Sequence, residues 1–99
     1  MEINCSAAKK LTLHYKYKIY MPTIETVYTG ELRTEAEHLA SGKIIITDAP
    51  IDNMGHGEAF SPTDLLAASL GSCMLTLMGI ASNGRGLNID RTKISITKI

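Results

Sequence analysis

Neither sign of charge is in excess: ten Lys and Arg stand against ten Asp and Glu, so the formal net charge is zero. No basic run gathers anywhere along the chain, and a nucleic-acid partner therefore has no electrostatic footing. Cysteine is scarce. The two present, Cys5 and Cys73, make neither a disulfide framework nor a metal-ligand spacing. The first twenty residues, MEINCSAAKKLTLHYKYKIY, lack the apolar stretch and small-residue cleavage site of a secretory signal. Missing too are a Gly-rich phosphate loop, a catalytic carboxylate pair and a nucleophile elbow. From the cysteine usage and the first twenty residues, the expectation is a cytosolic, thiol-permissive protein.

What is present suits one domain over residues 1–99, with 44% hydrophobic and 20% charged residues, both ordinary for a globular chain. Charge is absent between Asp64 and Arg85, a length approaching that of a membrane span. Ser69, Gly71, Ser72, Thr76 and Gly79 dilute that stretch, and neither flank carries a Lys/Arg cluster. A buried core helix is the expectation, with no membrane partner.

Residues 10–21 alternate, with Leu11, Leu13, Tyr15, Tyr17, Ile19 and Met21 on one face, which is the period of a half-buried strand. Met21 is a second candidate start, which makes residues 1–20 an optional extension. After Pro22, residues 23–32 (TIETVYTGEL) read as a strand. Residues 33–39 read as a short strand, 40–42 as a turn, and 43–47 (KIIIT) as a strand rich in β-branched side chains. Residues 48–60, with Gly, Pro and Asn, read as an ordered loop.

A helix is signalled next. Ser61 suits the N-cap, Pro62 the first turn, and Asp64 completes a capping box. Asn83-Gly84-Arg85-Gly86 supplies the stop, leaving about twenty residues, roughly 30 Å. Its surface is apolar nearly all round, so protein is expected on most sides of it. Small residues recur four apart (Ala67 with Gly71, Ala68 with Ser72), a spacing that admits a close backbone or serves plain packing. Residues 91–99 (RTKISITKI) alternate as a last strand. One helix in need of cover is thus offered few strands, which calls for a second copy of the chain, further C-terminal sequence, or both.

Chemistry centres on Cys73. A cysteine in mid-helix among apolar residues is commonly a small buried hydrophobe. Reactivity would require a nearby cation, and Arg33 is the candidate. Its plain alternative is a solvated arginine at a strand end. His38, His56, Asp48 and Asp52 match no metal-ligand motif, and no metal site is expected.

The run GEAFSPTDLLAASLGSCMLTLMGIA at 57–81 resembles the central helix of the OsmC/Ohr family, the osmotically inducible and organic-hydroperoxide-resistance proteins. The preceding TGELRTEAEHLASGKIIITDAPIDNMGHG is similar to the matching strands and loop of an OsmC-like subgroup. The resemblance covers residues 23–99. It implies an α+β fold, with an antiparallel sheet packed on a long buried central helix, in an intertwined homodimer whose sites lie between subunits. It also implies thiol-dependent reduction of organic hydroperoxides without metal or organic cofactor, and a dihydrolipoyl or low-molecular-weight thiol as reductant.

By that resemblance Cys73 is the peroxidatic cysteine and Arg33 its electrostatic partner. The family glutamate ten residues before the cysteine is here Thr63, so Glu58 or Asp64 is left to hold Arg33. The family's resolving cysteine belongs to a C-terminal third that this sequence does not include, and the chain reads as C-terminally truncated. The alternative is a truncated or divergent OsmC-fold dimer that binds small apolar ligands without turnover.

Overall fold

The computed structural model describes residues 21–99. The alternation at 10–20 and Cys5 lie outside the described residues. Three strands, β1 (Ile24–Gly30), β2 (Arg33–His38) and β3 (Lys43–Asp48), form an antiparallel sheet in that order. They precede a helix, α1 (Pro62–Asn83). The class is α+β.

The first hairpin turns on two residues alone, since Gly30 pairs with Arg33 across the ladder. Glu31 and Leu32 both take left-handed backbone, with φ of 56° and 61°. Such a turn matches the twist of the flanking strands but is usually built from Asn and Gly. Leucine there is strained by about 1–2 kcal/mol. Two bonds of Leu32 hold it: its N–H donates to the Tyr28 side-chain hydroxyl at 3.2 Å, and its carbonyl accepts from Ala49 N–H at 3.2 Å. The strained turn fixes Arg33 as the first residue of β2. Residues 39–42 then close the second hairpin, with Gly42 N–H donating to the His38 carbonyl at 2.8 Å and Gly42 at φ +73°.

Register decides which side chains meet. Arg33 lies directly opposite Asp48, and Thr34 opposite Thr47. Because side chains alternate across a strand, Arg33 shares its face with Glu35 and Glu37, and on β3 with Asp48, Ile46 and Ile44.

The helix begins where the sequence signals it. Ser61 Oγ accepts from Asp64 N–H at 3.1 Å, and Asp64 Oδ2 accepts from Ser61 N–H at 3.1 Å. Pro62 needs no donor at that position. At 22 residues, α1 ends at Gly84, whose N–H reaches the Ile80 carbonyl.

Two expectations fail within one chain. The helix is neither buried nor packed on the sheet: Leu66, Leu70, Leu77 and Ile80 are all more than 60% exposed. No hydrophobic side chain among the described residues is buried. The Cα radius of gyration is 17.9 Å, against about 13 Å for a compact chain of a hundred residues. The physical reason is geometric, since a helix apolar on every side needs more cover than one small sheet can give. By length and composition α1 could also cross a membrane, with a mean hydropathy of 1.7 over its most apolar window.

The second failure is at residues 91–99, which form no strand among the described residues. Their alternation is nonetheless used. Ile94 and Ile96 lie over Gly71, where a Cβ would meet Ile96 Cδ1 at 2.4 Å and Ile94 Cγ2 at 3.3 Å. Lys98 reaches the start of α1. Alternate side chains face the helix, but among the described residues no neighbouring strand supplies the ladder that would make a sheet. Of the two uses open to the small-residue spacing, Gly71 shows plain packing, since isoleucine side chains lie over it.

Candidate active site: an arginine held by two carboxylates

Asp48, the last residue of β3, is 1% exposed. A carboxylate so buried must be satisfied by donors. Its Oδ2 accepts from Glu58 N–H at 3.0 Å, its Oδ1 from His56 N–H at 3.5 Å, and Arg33 Nη2 stands 3.5 Å away. These donors hold the Asp48 carboxyl below its ordinary range, the Glu58 N–H foremost.

The loop that supplies them is folded tightly upon the end of β3. Gly57 N–H donates to the Ala49 carbonyl at 3.2 Å and Gly55 N–H to the Pro50 carbonyl at 3.0 Å. A single 3-10 turn, Ile51–Asn53, fills the excursion. Gly55 is required, because a Cβ there would lie 1.8 Å from the Ala49 carbonyl oxygen. Gly57, at φ +64°, is favoured by its backbone alone.

So placed, Glu58 turns its side chain back to β2. Its Oε2 accepts from Arg33 Nη2 at 2.5 Å, a short charge-assisted bond. The guanidinium pKa is raised, first by this bond and then by the charge of Asp48. The pair is open to solvent, with Glu58 66% and Arg33 31% exposed. Exposed pairs add little stability, so the importance of this one lies in placement. Only Nη2 is engaged. Arg33 Nε is closed off from solvent without an acceptor, and Nη1 donates to nothing among the described residues. The cation keeps donor capacity beyond what its two carboxylates use.

Of the two carboxylates expected near Arg33, Glu58 is there and Asp64 is not. Asp64 closes the helix cap and pairs with Lys98 Nζ at 2.7 Å, which with the Ser61 N–H lowers its pKa to about 2. Thr63 accepts from Lys98 Nζ at 2.9 Å. Asp48 was legible only as an unmatched metal candidate, although an aspartate ending a strand opposite Arg33 marks it once the register is known. Lys98 carried no local signal.

Cys73 lies exposed on α1, a free thiol without a hydrogen-bond partner or ion pair among the described residues. Arg33 and Glu58 meet each other, and neither contacts Cys73 within the chain. An open hollow of about 380 Å³ lies beside Glu58, lined also by Gly57, Ala59, Phe60 and Asp64. No three His, Cys, Asp or Glu converge as metal ligands among the described residues. His38 is engaged with Ser41 at 2.6 Å, and His56 is exposed.

No family model and no curated protein matches the chain. A crystal structure does: that of a Psychrobacter arcticus 273-4 protein named for osmotic stress induction and a detoxification response. The two share 54% sequence identity and superpose with a TM-score of 0.80 over 84% of this chain. The chain spans 61% of the length of that protein. In fold and sequence it is thus similar to a stress and detoxification protein.

Proposed function

We propose that the chain belongs to the OsmC/Ohr family, as an OsmC-like, cysteine-based peroxidase acting on small organic hydroperoxides. The observation that carries this reading is the Arg33 cation, held by Glu58 and Asp48 while keeping free donors, in a chain whose exposed thiol is Cys73. Support comes from the likeness to a protein named for a detoxification response.

The site is completed between two copies of the chain in a cytoplasmic homodimer. The exposed face of α1 lies against its counterpart, and Cys73 of one copy comes within reach of an Arg33. The uncovered apolar side chains of α1 and β3 motivate that assembly. Within it, a guanidinium favours the thiolate and draws charge from the peroxide. The sulfur attacks the terminal peroxide oxygen, the O–O bond breaks, and the departing alkoxide takes a proton to leave as alcohol. Cys73 becomes a sulfenic acid. One thiol then condenses with it to a mixed disulfide, releasing water, and a second returns Cys73 and leaves as disulfide. A dihydrolipoyl group or a low-molecular-weight thiol supplies both equivalents, with no metal or cofactor. Phe60 and Ala59 beside Glu58 suit an organic rather than a bare peroxide.

The test is stoichiometric. Reduced protein is treated with cumene hydroperoxide and Cys73 is followed by intact-mass and peptide analysis, beside Cys73→Ser. Rapid oxidation by one equivalent, faster than with hydrogen peroxide and lost in the variant, is expected. Reaction no faster than that of a free thiol would sink the peroxidase reading. It would leave the alternative favoured by Thr63, a dimer that binds small apolar ligands without turnover.

A further inference from the structure

Asp48 is the least exposed charged side chain among the described residues, yet the chemistry proposed above does not require it to touch substrate. Its closest partner is not the arginine opposite but the N–H of Glu58, at 3.0 Å against 3.5 Å. A second main-chain donor, His56 N–H, enters the other carboxylate oxygen. A buried carboxylate that gathers main-chain donors from 56 and 58 sets the path of the loop. The side chain leaving position 58 then has a fixed origin. Glu58 is otherwise exposed, and nothing else among the described residues hydrogen-bonds its carboxylate.

We propose that Asp48 is the positioning residue of the site: it pins the main chain at 56–58 and so delivers the Glu58 carboxylate to Arg33. The proposal rests on Arg33 being the working cation, and it assigns Asp48 no contact with peroxide. The register of β2 on β3 makes the device possible. Because Arg33 and Asp48 are direct cross-strand partners, a loop pinned to Asp48 returns beside the guanidinium. Asparagine would keep the shape of Asp48. It would replace one acceptor by a donor and set that donor against an N–H or the guanidinium.

The test reads Arg33 itself. Phenylglyoxal labelling of the full chain is followed by peptide mass spectrometry, with the exposed Arg85 and Arg91 as internal references. Asp48→Asn is expected to speed Arg33 labelling by about two- to fivefold, the scale of a lost solvent-exposed ion pair. Glu58→Gln should do the same. Asp52→Asn, which removes an exposed charge from the same loop, should leave the rate unchanged.

The deciding variant is the double one. If Asp48 acts through Glu58, Asp48→Asn adds little once Glu58→Gln is present. Equal acceleration in both backgrounds, or none in either, overturns the proposal. Should Asp48→Asn not fold by circular dichroism, Asp48→Ser carries the same cycle. Labelling does not involve Cys73, so this result stands apart from the peroxide reaction. Coupling without Cys73 oxidation would remove the peroxidase reading and keep Asp48. Oxidation without coupling would do the reverse.

Discussion

Gly55→Ala is the sharpest structural perturbation this chain offers, because the clash it creates is with main chain. An added Cβ would stand 1.8 Å from the Ala49 oxygen, 2.2 Å from its carbonyl carbon and 2.6 Å from its Cβ. A carbon and a carbonyl oxygen normally approach no closer than about 3.3 Å, so the loop must move apart by more than an ångström. No side-chain rotation relieves it. The bonds at risk are those that fold 49–58 upon itself, Gly57 N–H to the Ala49 carbonyl and Gly55 N–H to the Pro50 carbonyl. At about 1 kcal/mol net for each, local opening becomes easier by about 2 kcal/mol, roughly thirtyfold. Amide hydrogen exchange measures this directly, at Gly57 and Glu58, with the amides of α1 as an internal reference. The loss should be local, and Arg33 should become more reactive as Glu58 is drawn away. Unchanged protection at 57 and 58 would mean that the tight loop does not position Glu58, and the account of the site built on it would fail.

Ser61→Ala removes a 2%-exposed N-cap whose hydroxyl accepts from Asp64 N–H. It should lower stability by about 1 kcal/mol in denaturant unfolding, while Ser61→Asp retains most of it. The Asp64–Lys98 pair sets an acid limit. Because the folded pKa of Asp64 is depressed from 3.8 to about 2, its contribution is complete above the unfolded value. That contribution disappears as pH falls from about 4 to about 2, so NMR of the first turn of α1 should show fraying there, and Lys98→Ala should shrink the transition and move it toward the ordinary carboxylate range, the Ser61 bonds keeping the remainder. At Gly71, alanine gains helix propensity but meets Ile96. Gly71→Ala should therefore stabilise by about 0.5–1 kcal/mol in an Ile96→Ala background and by less in the parent, as thermal unfolding would show.

Local chemistry alone determined much of the chain. Ser61, Pro62 and Asp64 announce the helix start because capping is satisfied within four residues. The β-branched run at 44–46 and the turn at Gly42 place β3 for equally local reasons. The length and continuous apolarity of α1 were likewise legible. The helix motif around Cys73 pointed to the kind of protein that the structural comparison then found.

What tertiary structure decided was everything that depends on register or on cover. Nothing in the order of residues says that Arg33 pairs across the sheet with Asp48, or that a loop returning ten residues later presents Glu58 rather than Asp64. Those meetings follow from one hairpin turn and one set of main-chain bonds to a buried carboxylate. The alternation of 91–99 looked like a strand because period two reports only that alternate side chains share a face. Whether that face meets a sheet or, as here, the Gly71 side of α1 is a question of neighbours. Hydrophobicity in the same way says that α1 should be covered. Its exposed leucines show that one chain's described residues do not supply the cover, since burial is a property of the surfaces that surround a helix and not of its sequence.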